Sequence, residues 1–252
     1  MVSSKSSCEP NRENYQVAII GAGLSGILAC KHTIESGFNP IIFEARNNLG
    51  GVWSSTIDST KLQTPKDYFQ FSDFSWPENV SETFPNHNHV LEYITSYAHR
   101  FDVASRIKFN SKVISVDYVS SSDNNMRSWD LWGGNGEAFS NTGKWNVVVQ
   151  NVSHPIEPRK VYEVDFVIMC IGKFSDLPNI PDFPISQGAN VFNGDIMHSM
   201  DYAKMDKIEA AEYTKNKRVT VVGFQKSALD IASEIAKNNG TRLVSLHDLQ
   251  ST

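Results

Sequence analysis

Cysteine is scarce in this chain of 252 residues, with only Cys8, Cys30 and Cys170 present. Three scattered thiols form no even disulfide set, no zinc-type pair and no C-x-x-C, which excludes a disulfide scaffold and dithiol electron transfer. Cys30 and Cys170 fall in apolar segments and are expected to be buried. Basic runs are missing as well: 23 Lys and Arg against 28 Asp and Glu leave a formal charge of −5, so nucleic-acid binding lacks its electrostatic footprint. The longest apolar runs, such as Phe166–Ile171, fall far short of the ~20 residues that cross a bilayer. Residues Met1–Asn14 are polar, lack the apolar centre of a secretion signal, and read as a flexible N-terminus of a cytoplasmic protein. No Ser-His-Asp set stands out, and His87-Asn88-His89 has no partner at metal-ligand spacing. What the chain does have is 40% apolar residues, enough for one large core or two medium ones.

Its most informative stretch runs from Tyr15 to Glu44. Gln16–Ile20 is a short apolar run of buried-strand type, followed by Gly21-Ala22-Gly23-Leu24-Ser25-Gly26. Leu24–Ser36 then reads as a helix closed by Gly37, Asn39–Phe43 as a second strand, and Glu44 stands at its end. This is the order that a dinucleotide-binding βαβ unit requires. The first glycine permits the tight turn, the second lets backbone approach a pyrophosphate, and the third lets helix and strand pack closely. The helix N-terminus then holds the anion through its free N–H groups and dipole. A carboxylate at Glu44 accepts hydrogen bonds from a ribose diol and repels a 2′-phosphate, which favours FAD or NAD over NADP at this turn.

Further along, Asn88–Phe101 has the periodicity of an amphipathic helix with Val90, Leu91, Ile94, Tyr97 and Ala98 on one face. Residues 54–88 show few regular patterns but hold an aromatic cluster, Phe69 to Trp76. Ile107–Val119, Trp145–Gln150 and Glu163–Cys170 read as strands, with the polar stretch Ser120–Lys144 as a long hairpin loop. Leu177-Pro178-Asn179-Ile180-Pro181 is stiff and suits a linker. A second nucleotide-type unit opens at Val219–Val222 with Gly223-Phe224-Gln225-Lys226-Ser227-Ala228, a helix ending at Asn239-Gly240, and a strand over Arg242–Leu246. These elements define an α/β chain with two dinucleotide-binding domains, a Rossmann-like one over 15–175 (with a β-hairpin excursion over about 106–165) and an incomplete one over 176–252.

Residues 192–202 narrow the reading. Phe192, Gly194, His198 and Tyr202 match all four fixed positions of F-x-G-x-x-x-H-x-x-x-[YF], and the chain thereby resembles the flavin-containing monooxygenases and related class B monooxygenases. Gly50-Gly51-Val52-Trp53 is similar to the family's G-G-x-W stretch, and Ser72–Pro77 to its S-D-F-P-[FW]-P segment. Lys61-Leu62-Gln63 and Trp76 look most like plant members, including the type linked to pipecolate N-hydroxylation in systemic defence. The resemblance covers residues 15 to about 240. It implies an oxidoreductase in which NADPH reduces FAD and dioxygen, activated as a C4a-hydroperoxyflavin, oxygenates the nitrogen or sulfur of a small amine or sulfide. Protein side chains then bind, orient and exclude water, and few acid–base groups are needed.

The resemblance assigns FAD contacts to Gly21, Ala22, Gly23, Leu24, Ser25, Gly26, Glu44, Gly51 and Trp53, and NADP contacts to Gly223, Phe224, Gln225, Lys226, Ser227 and Ala228. Trp53 touches the flavin through its backbone or simply packs. Gln63 sits where many members carry an Asn near flavin C4a; it is either an amide contact or a polar loop residue. His198 is read as a fixer of domain geometry, and Phe192 and Tyr202 as packing. Two departures stand out. Gln225 replaces the middle glycine of the second turn, with Lys226 a compensating charge for phosphate and Ser227 a helix cap or cofactor donor; the turn otherwise serves the fold alone. The chain also ends early for the family, which leaves open a truncated, non-catalytic FAD-binding fragment or pseudogene product that pairs with itself or a longer relative. An unpaired edge would then expose Val219–Val222 and Ile231–Ile235.

Overall fold

A computed structural model of the chain describes residues 12–120, 143–173, 177–180, 183–239 and 244–247. The chain divides into two compact units, Met1–Gly51 with Ile94–Lys173 and Val52–Tyr93 with Phe174–Thr252.

The first unit is built on a parallel sheet. Strand β1 (Gln16–Ile20) is followed by helix α1 (Leu24–Glu35) and strand β2 (Asn39–Phe43), within a residue of the sequence expectation. The sheet order is β3-β2-β1-β7, with β3 at Ile107–Lys108 and β7 at Phe166–Met169. Val17, Ala18, Ile19 and Ile20 are all buried, because a parallel strand covered on both faces has no polar side to alternate with. Gly37, at φ +82°, takes the left-handed conformation that ends α1.

Between β3 and β7 the chain makes an antiparallel meander of β4 (Ser111–Ser120), β5 (Gly143–Asn151) and β6 (Lys160–Val164). The long loop expected at 120–144 lies mostly outside the described residues. The single strand expected over Glu163–Cys170 is two strands, broken at Asp165. There the carboxylate accepts the Gln16 N–H at 2.8 Å and pairs with the Lys144 ammonium, while the Asp165 N–H donates to the Gln16 carbonyl. A buried acid that binds the start of β1 redirects the chain from meander to parallel sheet. Ala18, Phe43, Val147, Val149 and Val164 fuse the two sheets in one core cluster, with Tyr162 against the Phe43 ring at 4.8 Å between centroids.

The second unit contains the short helix α2 (Lys66–Phe69), helix α4 (Ser199–Tyr202), helix α5 (Lys207–Thr214), strand β8 (Val219–Val222), helix α6 (Lys226–Asn239) and strand β9 (Val244–His247). Helix α3 (His87–Arg100) buries Val90, Ile94, Tyr97 and Ala98 as its periodicity requires. Strands β8 and β9 pair in parallel. Ile231 and Ile235, expected to be exposed, are buried in a cluster with Ile57, Tyr202 and Ala210: the stretch around Ile57 and helices α4 and α5 cover the face of α6 that the sequence reading left open. Helix α5 was absent from that reading. Asp206 caps it by accepting the N–H groups of Ile208 and Glu209, and the Asp206/Glu209 spacing was the available signal.

Candidate functional site

In the first unit the glycine turn lies at the carboxyl end of β1, beside the end of β7. Since β2 lies on one side of β1 and β7 on the other, this is the point where strand order reverses, the place where open α/β sheets bind ligands. Each glycine has a separate reason. Gly21 has φ +102°, and a Cβ there would overlap the Cys170 carbonyl. A Cβ on Gly26 would overlap the Gly21 carbonyl oxygen and sit 3.4 Å from the Cys170 Cβ. Gly23 differs: φ is −74°, and a Cβ would meet only Gly51 Cα at 3.6 Å. Among the described residues nothing forces glycine at 23, where a Cβ would make only an ordinary contact with the Gly51 backbone.

Gly23 is also the N-cap of α1, and no side chain caps that helix. The carbonyl of Gly23 accepts the Ile27 N–H at 3.0 Å, while the first-turn N–H groups face forward with the positive end of the helix dipole. An uncapped helix N-terminus with a side-chain-free approach is an anion cradle.

Glu44 is buried at the end of β2 and holds this turn from behind. One carboxylate oxygen accepts the Ala22 N–H at 2.7 Å, and the other accepts the Arg46 N–H at 2.9 Å. A carboxylate has about four acceptor sites, so lone pairs remain for a diol. The following loop is tied to the same turn: the Gly50 N–H donates to the Ala22 carbonyl at 2.9 Å, and Arg46 Nη1 donates to the Gly51 carbonyl at 3.0 Å. Arg46 carries no motif in the sequence. Its place two residues after the acid was the only clue. Leu24 is half-buried and Ser25 exposed on the first turn of α1. Burial pushes the Cys30 thiol up to about 12 and raises that of the half-buried Cys170.

In the second unit, Gly223 makes the turn after β8 at φ +138°, and a Cβ there would approach Ala228 Cβ at 3.3 Å. Phe224 and Gln225 are exposed. The Gln225 carbonyl accepts the Leu229 N–H at 3.1 Å, which makes Gln225 the residue that opens α6 and puts Ser227 inside its first turn. Lys226 folds back onto both carboxylate oxygens of Asp230, which also accepts from the Thr60 hydroxyl at 3.4 Å. The charge expected to face phosphate is thus neutralised by an i,i+4 partner on its own helix.

The signature residues cluster in this unit. The Phe192 ring lies against Gly194, where a Cβ would collide with it, yet the residue is 60% exposed. His198 caps α4, its Nδ1 accepting the Met200 N–H at 3.2 Å. Tyr202 is buried and donates to Glu234 at 2.9 Å. Burial first, then that hydrogen bond and the carboxylate's charge, hold the Tyr202 phenol above its ordinary range.

The aromatic cluster centres on Tyr93, which stacks on Trp76 at 4.1 Å and accepts the Phe71 N–H at 2.9 Å. Trp53 packs edge-on to Phe69 at 5.9 Å, and Gln63 is exposed. Among the described residues, no three His, Cys, Asp or Glu side chains form a metal site, and no helix is long and apolar enough to cross a membrane.

Residues 14–248 match the family described as FMO-like, flavin-binding monooxygenase-like. A probable flavin-containing monooxygenase 1 of Arabidopsis thaliana is 43% identical over 227 residues, which is 89% of this chain and 42% of that protein. The S-allyl-L-cysteine S-oxygenase of Allium sativum has a similar fold, with TM-score 0.65, 22% identity and coverage of 93% of this chain and 50% of that one. OTEMO in complex with FAD and NADP gives TM-score 0.63 at 20% identity, covering 94% of this chain and 39% of that one. The chain spans less than half the length of the curated relatives it matches.

Proposed function

The chain belongs to the flavin-binding monooxygenase-like family, and from that premise we propose that it carries the dinucleotide-binding elements of an FAD- and NADPH-dependent monooxygenase. Its substrate class is a small amine or sulfide, oxygenated at nitrogen or sulfur with dioxygen as co-substrate. The observation that carries the reading is the uncapped N-terminus of α1, opened by Gly23 and backed by the buried Glu44. The residues present fit a flavin dinucleotide: Gly21 turns the chain, Gly23 leaves room for the pyrophosphate, and the first-turn N–H groups of Leu24, Ser25 and Gly26 hold its charge. Glu44 accepts from the ribose while keeping Ala22 in place, and Gly51 and Trp53 extend the flavin contacts. When bound, the flavin accepts hydride from NADPH and activates dioxygen for transfer to the substrate.

In the second unit, Gly223 to Ala228 supply the turn for NADPH. Lys226 reaches phosphate only by leaving Asp230, and Gln225 occupies the place of a glycine, which favours a second reading in which the chain binds FAD without turning over. Phe192, Gly194, His198 and Tyr202 act in this proposal by shaping the second unit. Gln63 is then an exposed contact available to the flavin. The free thiols Cys30 and Cys170 suit a reducing compartment such as the cytoplasm, and the proposal extends to a role in plant defence and to pairing with itself or a longer relative.

The purified chain is expected to retain FAD, visible in its absorbance spectrum, and NADPH added without oxygen is expected to bleach it. Bound flavin that fails to bleach selects the second reading. A chain that retains no FAD refutes both.

A further inference from the structure

Arg46 joins both walls of the glycine turn. Its main-chain N–H binds the Glu44 carboxylate at 2.9 Å, and its guanidinium binds the Gly51 carbonyl at 3.0 Å. The same carboxylate holds Ala22 at 2.7 Å, and the Ala22 carbonyl receives the Gly50 N–H at 2.9 Å. A closed circuit therefore runs from Ala22 through Glu44 and Arg46 to Gly51 and back through Gly50. Its effect is to set Gly51 against Gly23: a Cβ on Gly51 would lie only 3.0 Å from Gly23 Cα. Gly51 is in the left-handed region at φ +58°, a conformation glycine adopts without strain. The space in front of Gly23 is bounded on that side by Gly51.

We propose that Arg46 is a positioning residue for the flavin dinucleotide, holding Gly51 against Gly23 so that the Gly50-Gly51 loop forms a fixed wall beside the uncapped N-terminus of α1. The inference rests on the FAD reading of the first turn. Arg46 is half-buried, and its cation adds a positive charge beside a site that takes an anion. The guanidinium is a planar fork, so lysine keeps the charge but not the geometry.

The test compares FAD affinity and unfolding of the FAD-free protein for the wild type, Arg46→Ala and Arg46→Lys. Loss of one charge-assisted hydrogen bond predicts FAD binding weaker by about tenfold to a hundredfold in the alanine variant. The lysine variant is expected to recover part of that loss. The melting temperature of the FAD-free alanine variant is expected to stay close to the wild type, because the substitution removes the guanidinium bond to the Gly51 carbonyl and keeps the main-chain bond to Glu44. Wild-type affinity in Arg46→Ala overturns the proposal. So does a fall in affinity matched by a comparable loss of FAD-free stability, which would make Arg46 a folding residue only. A wild-type chain that binds no FAD overturns the underlying reading, a result distinct from either.

Discussion

Two glycines of the first turn, only three residues apart, separate folding from binding. Glycine inside a helix ordinarily costs about 1 kcal/mol relative to alanine, so Gly26→Ala would stabilise an unconstrained α1. Here the new Cβ overlaps the Gly21 carbonyl oxygen and lies 3.0 Å from its carbon, where carbon pairs prefer about 3.5–4.0 Å. Helix α1 must retreat by about 1 Å, lifting the buried Ile27 and Cys30 from the sheet. Overpacking of this severity costs about 3 kcal/mol, leaving a net loss of about 2 kcal/mol after the propensity gain. The melting temperature is then expected to fall by about 4–8 °C. Gly23→Ala is the contrast: its Cβ meets Gly51 Cα at an ordinary 3.6 Å with φ at −74°. The FAD-free protein should stay within about 1 kcal/mol of wild type, while flavin retention falls sharply. Thermal unfolding of both FAD-free variants, read by circular dichroism, and flavin content after gel filtration decide the matter. A Gly26→Ala variant that melts like the wild type, or a Gly23→Ala variant that keeps its flavin, would refute this separation of roles.

Glu44→Ala leaves two main-chain donors, at Ala22 and Arg46, without their carboxylate; denaturant titration should show a loss of about 3 kcal/mol or more. Tyr202→Phe removes the bond to Glu234 and should cost about 1 kcal/mol at neutral pH. Because the folded phenol is held above its ordinary value near 10, its stabilisation is complete below that pH and is lost as pH rises beyond it. Stability of the wild type measured across that range should fall more steeply than that of Tyr202→Phe. Cys30, with its thiol pushed up to about 12, should resist alkylation in the folded chain at neutral pH. Cys170, less buried, should react before Cys30, as peptide mass spectrometry of timed samples can establish. Asp206→Ala removes the cap of α5 and should cost about 1 kcal/mol, seen as lost helical signal or a lower melting point.

The first βαβ unit was legible in the sequence because its determinants are local: an apolar strand, glycines forced by turn and contact, and an acid at the next strand's end. What escaped was decided by distant partners. Asp165 reads as one polar residue in an apolar run, and only its bond to Gln16 explains why the strand breaks there. Ile231 and Ile235 look like an open helix face until residues near Ile57 and Tyr202 close over them. Lys226 reads as a phosphate ligand, but Asp230, one helical turn on, claims it. That pair was visible as an i,i+4 spacing. Arg46 had no comparable sign, since its role depends on a loop folding back to meet it.

The position of β1 between β2 and β7 bears on how the protein comes into being. One neighbour arrives within a few dozen residues; the other, with the Cys170 carbonyl that backs Gly21, comes only after the whole meander has been made. A nascent chain released from the ribosome before Asp165 therefore holds every glycine of the turn but not the wall behind it. Because such distant pairing must close a long loop first, the docking of β7 is expected to come late in assembly. Until it docks, β1 presents a bare apolar edge, and Gly21 lacks the Cys170 carbonyl against which it turns.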